Sequence, residues 1–248
     1  METRIDQIAG GIYRIATMTD AYGITFNQFL IDDERPALIH TGEHGSYESV
    51  RKAISEVLDP AKLAYVALLH WEGDENGSME PFLADAPGAQ LVGSALSIQL
   101  NARGFGTEER ALGFEDGQKL ELGKHTLRFL ETPHVHHWDS MMVFEETTGS
   151  LFPADLFLQP GDQPPVVTEN LGDAMCEVYR QVGIFAHEDP VRQVVDRIEA
   201  LDPEWTHAMH GGTLTREALP GYIKALREQD FGYQGKLLGR ELPVEALA

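Results

Sequence analysis

The sequence predicts one α/β domain over residues 1–248, on three observations. Residues 63–69 form a near-continuous apolar run ending at His70, as in a strand buried on both faces with its polar tip at the C-terminal end. Short β-runs gather in two sets, one before that strand and one after it, each bounded by turn residues. Helical spacing of apolar residues follows each set, so the strands have helices to cover them.

Along the chain, residues 11–15, 25–31 and 36–39 read as strands, with Asp32, Asp33 and Glu34 as a turn. After Thr41 and Gly42, Ser46 can cap a helix in which Tyr47, Val50, Ile54, Val57 and Leu58 share one face. The second strand set is 89–92, 126–131, 141–145 and 150–154. Residues 159–165, rich in proline, read as a loop, and Tyr179 as part of a helix beyond it. Asp189 and Pro190 open a helix whose Val191, Val194, Val195, Ile198 and Leu201 line one face, with proline at the first helical position. Residues 205–209 form the last strand and 215–227 the last helix; beyond Phe231 no periodicity is strong.

Apolar residues make up 42% and charged residues 24%, so a packed core is expected rather than disorder. Subtracting 40 acidic from 19 basic residues gives −21, a field that repels nucleic acid and anionic membranes and excludes both as partners. No apolar stretch approaches the length of a membrane span. The first six residues lack a basic segment followed by an apolar one, which makes the cytoplasm the default location. Cys176, the only cysteine, excludes an internal disulfide and a cysteine-based metal cluster, and reads as a small buried residue.

Metal-type ligands fall at the ends of the expected strands: His70, Glu72 and Asp74, then His136, Asp155 and His210, with Glu75 beside the first cluster. Each segment alone is a weak signal, because an acidic loop or a lone histidine is ordinary surface. Their order and context carry more. His70-Trp71-Glu72-Gly73-Asp74 follows a buried strand, and Thr132-Pro133-His134-Val135-His136 follows another and leads into Asp139-Ser140. Leu151-Phe152-Pro153-Ala154-Asp155 closes a third, and Ala208-Met209-His210-Gly211-Gly212 a fourth. Over roughly residues 12–212 this resembles the metallo-β-lactamase superfamily. The Glu of His-x-Glu-x-Asp resembles its di-iron branch, the flavodiiron and oxygen-binding di-iron proteins.

The resemblance implies an αββα sandwich of two mixed β-sheets flanked by helices. It implies that His70, Glu72 and His136 hold one iron, that Asp74 and His210 hold the second, and that Asp155 bridges them. Hydrolytic members carry His where this chain has Glu72, and carboxylate oxygens suit harder ions, so two irons are expected, with zinc or manganese as the alternative. His136 is preferred over His134 and His137 because the family's ligand stands four residues before the Ser of an Asp-Ser pair, here Ser140. His134 and His137 then read as loop residues or neighbours of the ligands.

Two positions depart from the family's pattern. Glu75 stands where His is usual, and either adds a carboxylate to the second metal or leaves it a position open to a small ligand. His40 stands where the Asp of Leu-Ile-Asp-Thr-Gly is usual, and is expected to support rather than ligate. Asp139 and Ser140 are expected to orient ligands, since ligating imidazoles donate their other N–H to an acceptor. Trp71, Trp138 and Phe157 would line the site if they are not simply packed, whereas Tyr179 reads as core. His44, His125, His187 and His207 carry no functional reading.

Members of the flavodiiron group carry a flavodoxin domain after the di-iron domain, and the 36 residues after Gly212 are too few for one, so no flavin is expected in this chain. If it is an enzyme, it is an oxidoreductase of O2 or NO needing electrons from a separate redox protein. Otherwise it binds or senses the same diatomic ligands. The alternative is a di-zinc or di-manganese hydrolase in which a bridging hydroxide attacks an ester, lactone or phosphoester. A metal-free binding module is a third reading, disfavoured because all six principal positions hold competent ligands. A homodimer is neither required nor excluded.

Overall fold

Two strand sets with alternating apolar faces need a partner on each side, and they bury one face against each other and the other under helices. A computed structural model describes residues 3–19 and 22–241; Met1 and Glu2 of the N-terminal stretch and the last seven residues of the tail lie outside them. The first sheet runs in sequence order: β1 (Thr3–Ala9), β2 (Ile12–Thr19), β3 (Ile24–Ile31), β4 (Ala37–Ile39), β5 (Tyr65–Ala67), β6 (Gln90–Ser94) and β7 (Ala111–Phe114). Its first four strands pair antiparallel and its last four parallel.

The second sheet contains β8 (Lys119–Glu121), β9 (Thr126–Glu131), β10 (Met141–Glu145), β11 (Ser150–Phe152), β12 (Val166–Val167), β13 (Trp205–His207) and β14 (Thr213–Thr215). Their spatial order is β12-β14-β13-β11-β10-β9-β8. Helices α1 (Tyr47–Ile54) and α3 (Met79–Asp85) cover the first sheet, with the short α2 (Gly73–Asn76) between them. After β6, α4 (Ala95–Ser97) continues into a π-helical turn over Ile98–Ala102. Helices α5 (Gly172–Val182), α6 (Asp189–Leu201) and α7 (Leu219–Glu228) cover the second sheet. The layers are αββα, as the resemblance implies.

The period of two decides which face each residue serves. In and around β5, Leu63, Val66 and Leu68 pack under α1 and α3, while Tyr65, Ala67 and Leu69 join Phe129, Val143 and Phe152 between the sheets. Phe29 and Phe152 meet edge to face across that layer at 5.3 Å. No helix of the described residues is long and apolar enough to cross a membrane.

Some boundaries differ from expectation. The predicted helix over 215–227 is a strand followed by a shorter helix. Thr213 to Thr215 pair antiparallel with β13, and Pro220 in the first turn sets the start of α7 at Leu219. The strand expected over 150–154 stops at Phe152, and Ala154 takes φ +54°, turning the chain before Asp155. α1 ends at Ile54, and Val57 and Leu58 pack against the same cluster from the following turn.

The turn after β3 ties the two sheets together. The Asp33 carboxylate, its side chain 1% exposed, accepts from the backbone N–H of Glu34, Lys124 and His125 and lies 2.8 Å from His125 Nδ1. Burial pushes this carboxyl up, but those donors outweigh it and hold it well below the usual carboxylate range. Its stabilising contribution is therefore complete above the unfolded pKa near 4 and fades as pH falls below it. Asp33→Ala should cost about 1–2 kcal/mol near neutral pH by leaving the part-buried donors of His125 without their acceptor. In urea unfolding the gap between variant and wild type should narrow at about pH 3; a gap independent of pH would contradict the assignment.

Candidate metal centre

Strands from both sheets end at one rim of the sandwich, and their polar tips meet there. The chain beyond β5 supplies His70, the start of α2 supplies Glu72, Asp74 and Glu75, and the loop from β9 to β10 supplies His136. Asp155 lies just beyond β11 and His210 just beyond β13. The sheets are locked at this rim by backbone bonds from Met141 N to Leu69 O (2.8 Å) and from Asn27 N to Met209 O (2.9 Å).

The six principal residues of the sequence reading come together as two groups sharing Asp155. In the first, Glu72 Oε2 lies 3.0 Å from His70 Nε2 and 3.1 Å from His136 Nε2, and Asp155 Oδ2 lies 2.7 Å from His136 Nε2 and 3.5 Å from His70 Nε2. In the second, His210 Nε2 lies 3.5 Å from Asp74 Oδ2 and 3.4 Å from Asp155 Oδ1. The two oxygens of Asp155 thus face different groups.

The far side of each ring fixes its tautomer. His210 Nδ1 lies 3.0 Å from the Thr25 carbonyl, which can only accept, so Nδ1 donates there and Nε2 is the nitrogen that faces Asp74 and Asp155. Behind His70, fully buried Glu75 places Oε2 3.2 Å from both the backbone N and Nδ1 of His70, and Oε1 3.2 Å from His40 Nδ1. Glu75 therefore lies behind His70, and His40, buried at φ +62°, lies against its other oxygen.

His137 lies against the first group, Nε2 3.8 Å from Glu72 Oε2, with its ring 4.4 Å from that of His136. Its Nδ1 is 3.8 Å from buried Asp139, whose carboxylate has no hydrogen-bond partner among the described residues. Asp139 thus faces His137 rather than a principal ligand. Ser140 Oγ accepts from the backbone of His137 and shapes the loop, and His134 is exposed on its outer side. The loop carrying His210 is gripped from below: Arg14, fully buried, donates to Gly211 O at 2.7 Å, and Asn27 Nδ2 donates to Ala208 O and Gly211 O at 2.8 and 2.7 Å. A Cβ at Gly212 would stand 2.3 Å from Pro164 O, so only glycine fits there.

Electrostatically the cluster draws its positive charge from imidazoles. Among the described residues the ion pairs of Glu72, Asp74, Glu75 and Asp155 are all with histidines. Contacts with His136 and His70 hold Glu72 well below the usual carboxylate range. Burial would raise Asp155, but His70, His136 and His210 together hold it low. Burial and the Asp155 charge push Asp74 up to about 6, and burial with the same neighbours pushes Glu75 well above its ordinary value. Burial would lower His136, yet Asp155 and Glu72 bring it up to about 10, and the Asp155 contact raises His210 likewise. Asp74 Oδ1 and Asp155 Oδ1 are buried without hydrogen-bond partners among the described residues. Such a donor set fits divalent or trivalent cations.

Above the cluster opens a pocket of about 770 Å³. Its floor includes Glu72, Asp74, His136, Asp155 and His210, and its walls come from Tyr22, Ile24 and Phe26 on one side and from Val178, Tyr179, Val182 and Ile184 on the other. The three aromatic residues left open between packing and lining do not line it. Trp138 is 43% exposed beside Leu96, Trp71 packs on Phe105, and Phe157 is buried in the core under α5 and α7. Tyr179 belongs to that core and also reaches the site: its hydroxyl donates to Asp155 O at 3.0 Å and accepts from Leu158 N at 3.3 Å. Sequence reasoning missed Glu43, which also lines the pocket and carries no motif of its own.

If His70 ligates a metal, Glu75→Gln, which keeps one acceptor oxygen but gives up the second and the charge, should weaken metal binding about ten- to hundredfold while the protein still folds, the usual effect of altering the group behind a ligating imidazole. Competition with a chelator measures it, and unchanged affinity would contradict that role.

Comparison with known proteins gives a consistent picture. Residues 24–211 match the family described as ODP family beta lactamase. The putative diflavin flavoprotein A 1 of Thermosynechococcus vestitus is 27% identical over 208 residues, covering 83% of this chain and 36% of its own length. The chain spans about a quarter to a little over a third of the first curated relatives it matches. Rubredoxin oxygen:oxidoreductase from the anaerobe Desulfovibrio gigas superposes with a TM-score of 0.80 at 20% identity, covering 91% of this chain and 61% of that one. The apo state of the chemotaxis sensor ODP from T. denticola superposes with a TM-score of 0.78 at 18% identity, covering 93% of this chain and 96% of that one. At these identities the likeness is one of fold.

Proposed function

The chain belongs to the ODP family of beta lactamases, and from that premise we propose that it holds a pair of non-haem irons and binds dioxygen or nitric oxide there. The observation that carries the reading is Asp155, whose two oxygens face two separate sets of nitrogen and oxygen donors. His70, Glu72 and His136 would hold one ion, Asp74 and His210 the other, with Asp155 shared. Two irons so held would supply a binding site for a diatomic oxidant and, given a reductant, would pass electrons to it.

The protein's part is positional. Thr25 and Glu75 aim the lone pairs of His210 and His70 inward, and Tyr179 pins the backbone of Asp155 from the pocket side. The apolar walls leave the floor as the polar part of the pocket. Glu72 supports iron over zinc, because it puts an oxygen donor where a third imidazole would favour the softer ion. The names of the structural neighbours, an oxygen:oxidoreductase and a chemotaxis sensor, support a diatomic ligand and two roles for binding it, reduction and sensing. For reduction, electrons would come from a separate redox protein, and the −21 charge of this chain favours a basic one.

The test is anaerobic loading with ferrous iron followed by titration with O2 and with NO. About two irons per chain and a visible band that responds to either gas are expected. Retention of zinc with ester or lactone turnover and no response to the gases would replace this reading by the hydrolytic one.

A further inference from the structure

We infer that the pocket over the proposed metal pair receives an organic molecule with an aliphatic body and a single oxygen-donor head. This rests on the metal-pair reading and deepens it. A diatomic ligand, like a water molecule, occupies on the order of 30 Å³. The pocket measures about 770 Å³ and lies within the range of sites for whole organic ligands.

The chemistry of the lining narrows the class. Ile24 and Phe26 form one wall and Val178, Val182 and Ile184 the other, with Tyr22 at the rim, 65% exposed. Lysine, arginine, amide and aliphatic hydroxyl side chains are absent from the lining among the described residues. The Tyr179 hydroxyl is already engaged with Asp155 O and Leu158 N. Sugars, peptides and nucleotides need polar partners along their length, and these walls offer few. Apart from Glu43 and the rim tyrosine, polar character is confined to the floor, where the proposed metal ligands are. A ligand that fits keeps its only polar group at the floor and lays its chain along the walls.

The experiment uses the full chain loaded with manganese and titrated by calorimetry with a series from acetohydroxamate to octanohydroxamate, with azide as the small-ligand control. Affinity should rise about fourfold per methylene until the pocket is filled, with an increasingly negative heat-capacity change. Val178→Trp and Ile184→Trp occupy the pocket and should flatten that rise, leaving azide affinity within about twofold, inside the scatter of contacts away from the metals. Affinity independent of chain length in the wild-type protein, with azide bound normally, would overturn the inference and leave the metal-pair reading standing. Failure to retain metal or azide would overturn both.

Discussion

Replacing Asp155 by Ala is expected to reduce bound iron from two ions per chain to one or none and to abolish the response to O2 and NO. Its carboxylate faces both donor groups, so in the proposed centre its removal would take one ligand from each ion and the carboxylate shared between them. Loss of a residue behind a ligand costs about ten- to hundredfold in affinity, and loss of a shared ligand should exceed a hundredfold. At fixed metal concentration a hundredfold loss removes about 2.7 kcal/mol of metal-linked stability, visible as a lower melting temperature of the loaded protein. Asp155→Asn separates charge from shape, since it keeps an oxygen donor but gives up the anion that His70, His136 and His210 surround. Two irons retained at wild-type affinity in either variant would contradict the shared role.

Glu72→His is expected to turn the site from iron toward zinc. The first group would then offer imidazoles with the single carboxylate of Asp155, a set that zinc binds well and that no longer favours a harder ion. The Glu72 side chain is 41% exposed, so the exchange tests metal choice rather than core packing. Loaded from an equimolar mixture, the variant should hold at least about tenfold less iron relative to zinc than the parent protein and lose the gas-dependent band. Glu72→Asp, which keeps the carboxylate, should retain iron preference. An unchanged ratio in Glu72→His would show that the donors alone do not select the metal.

What the sequence disclosed and what it hid follow from the range of the interactions concerned. His70, His136, Asp155 and His210 stand just past buried strands, so local pattern and family order were enough to place them at one rim. Glu75 and His40 stood out as departures, but only folding shows that they meet, because β4 and β5 pair in parallel and bring residue 40 beside the turn after residue 70. The pocket walls were not legible. Ile24 and Val178 lie far apart in the chain, and an apolar residue on a strand or helix looks the same whether it faces a core or a cavity. Trp71 and Trp138 illustrate the reverse case: adjacency to a ligand in sequence pointed at the site, while the backbone turned both side chains elsewhere. The strand Thr213–Thr215 was hidden by its brevity and by the helical pattern that follows it.

The most direct test is anomalous diffraction at the iron edge from crystals of the anaerobically loaded protein. Two peaks about 3.5–4 Å apart are expected, one among His70, Glu72 and His136, the other between Asp74 and His210, with an Asp155 oxygen on each. A single peak, or a pair that shows the zinc edge after loading with iron, would contradict the account.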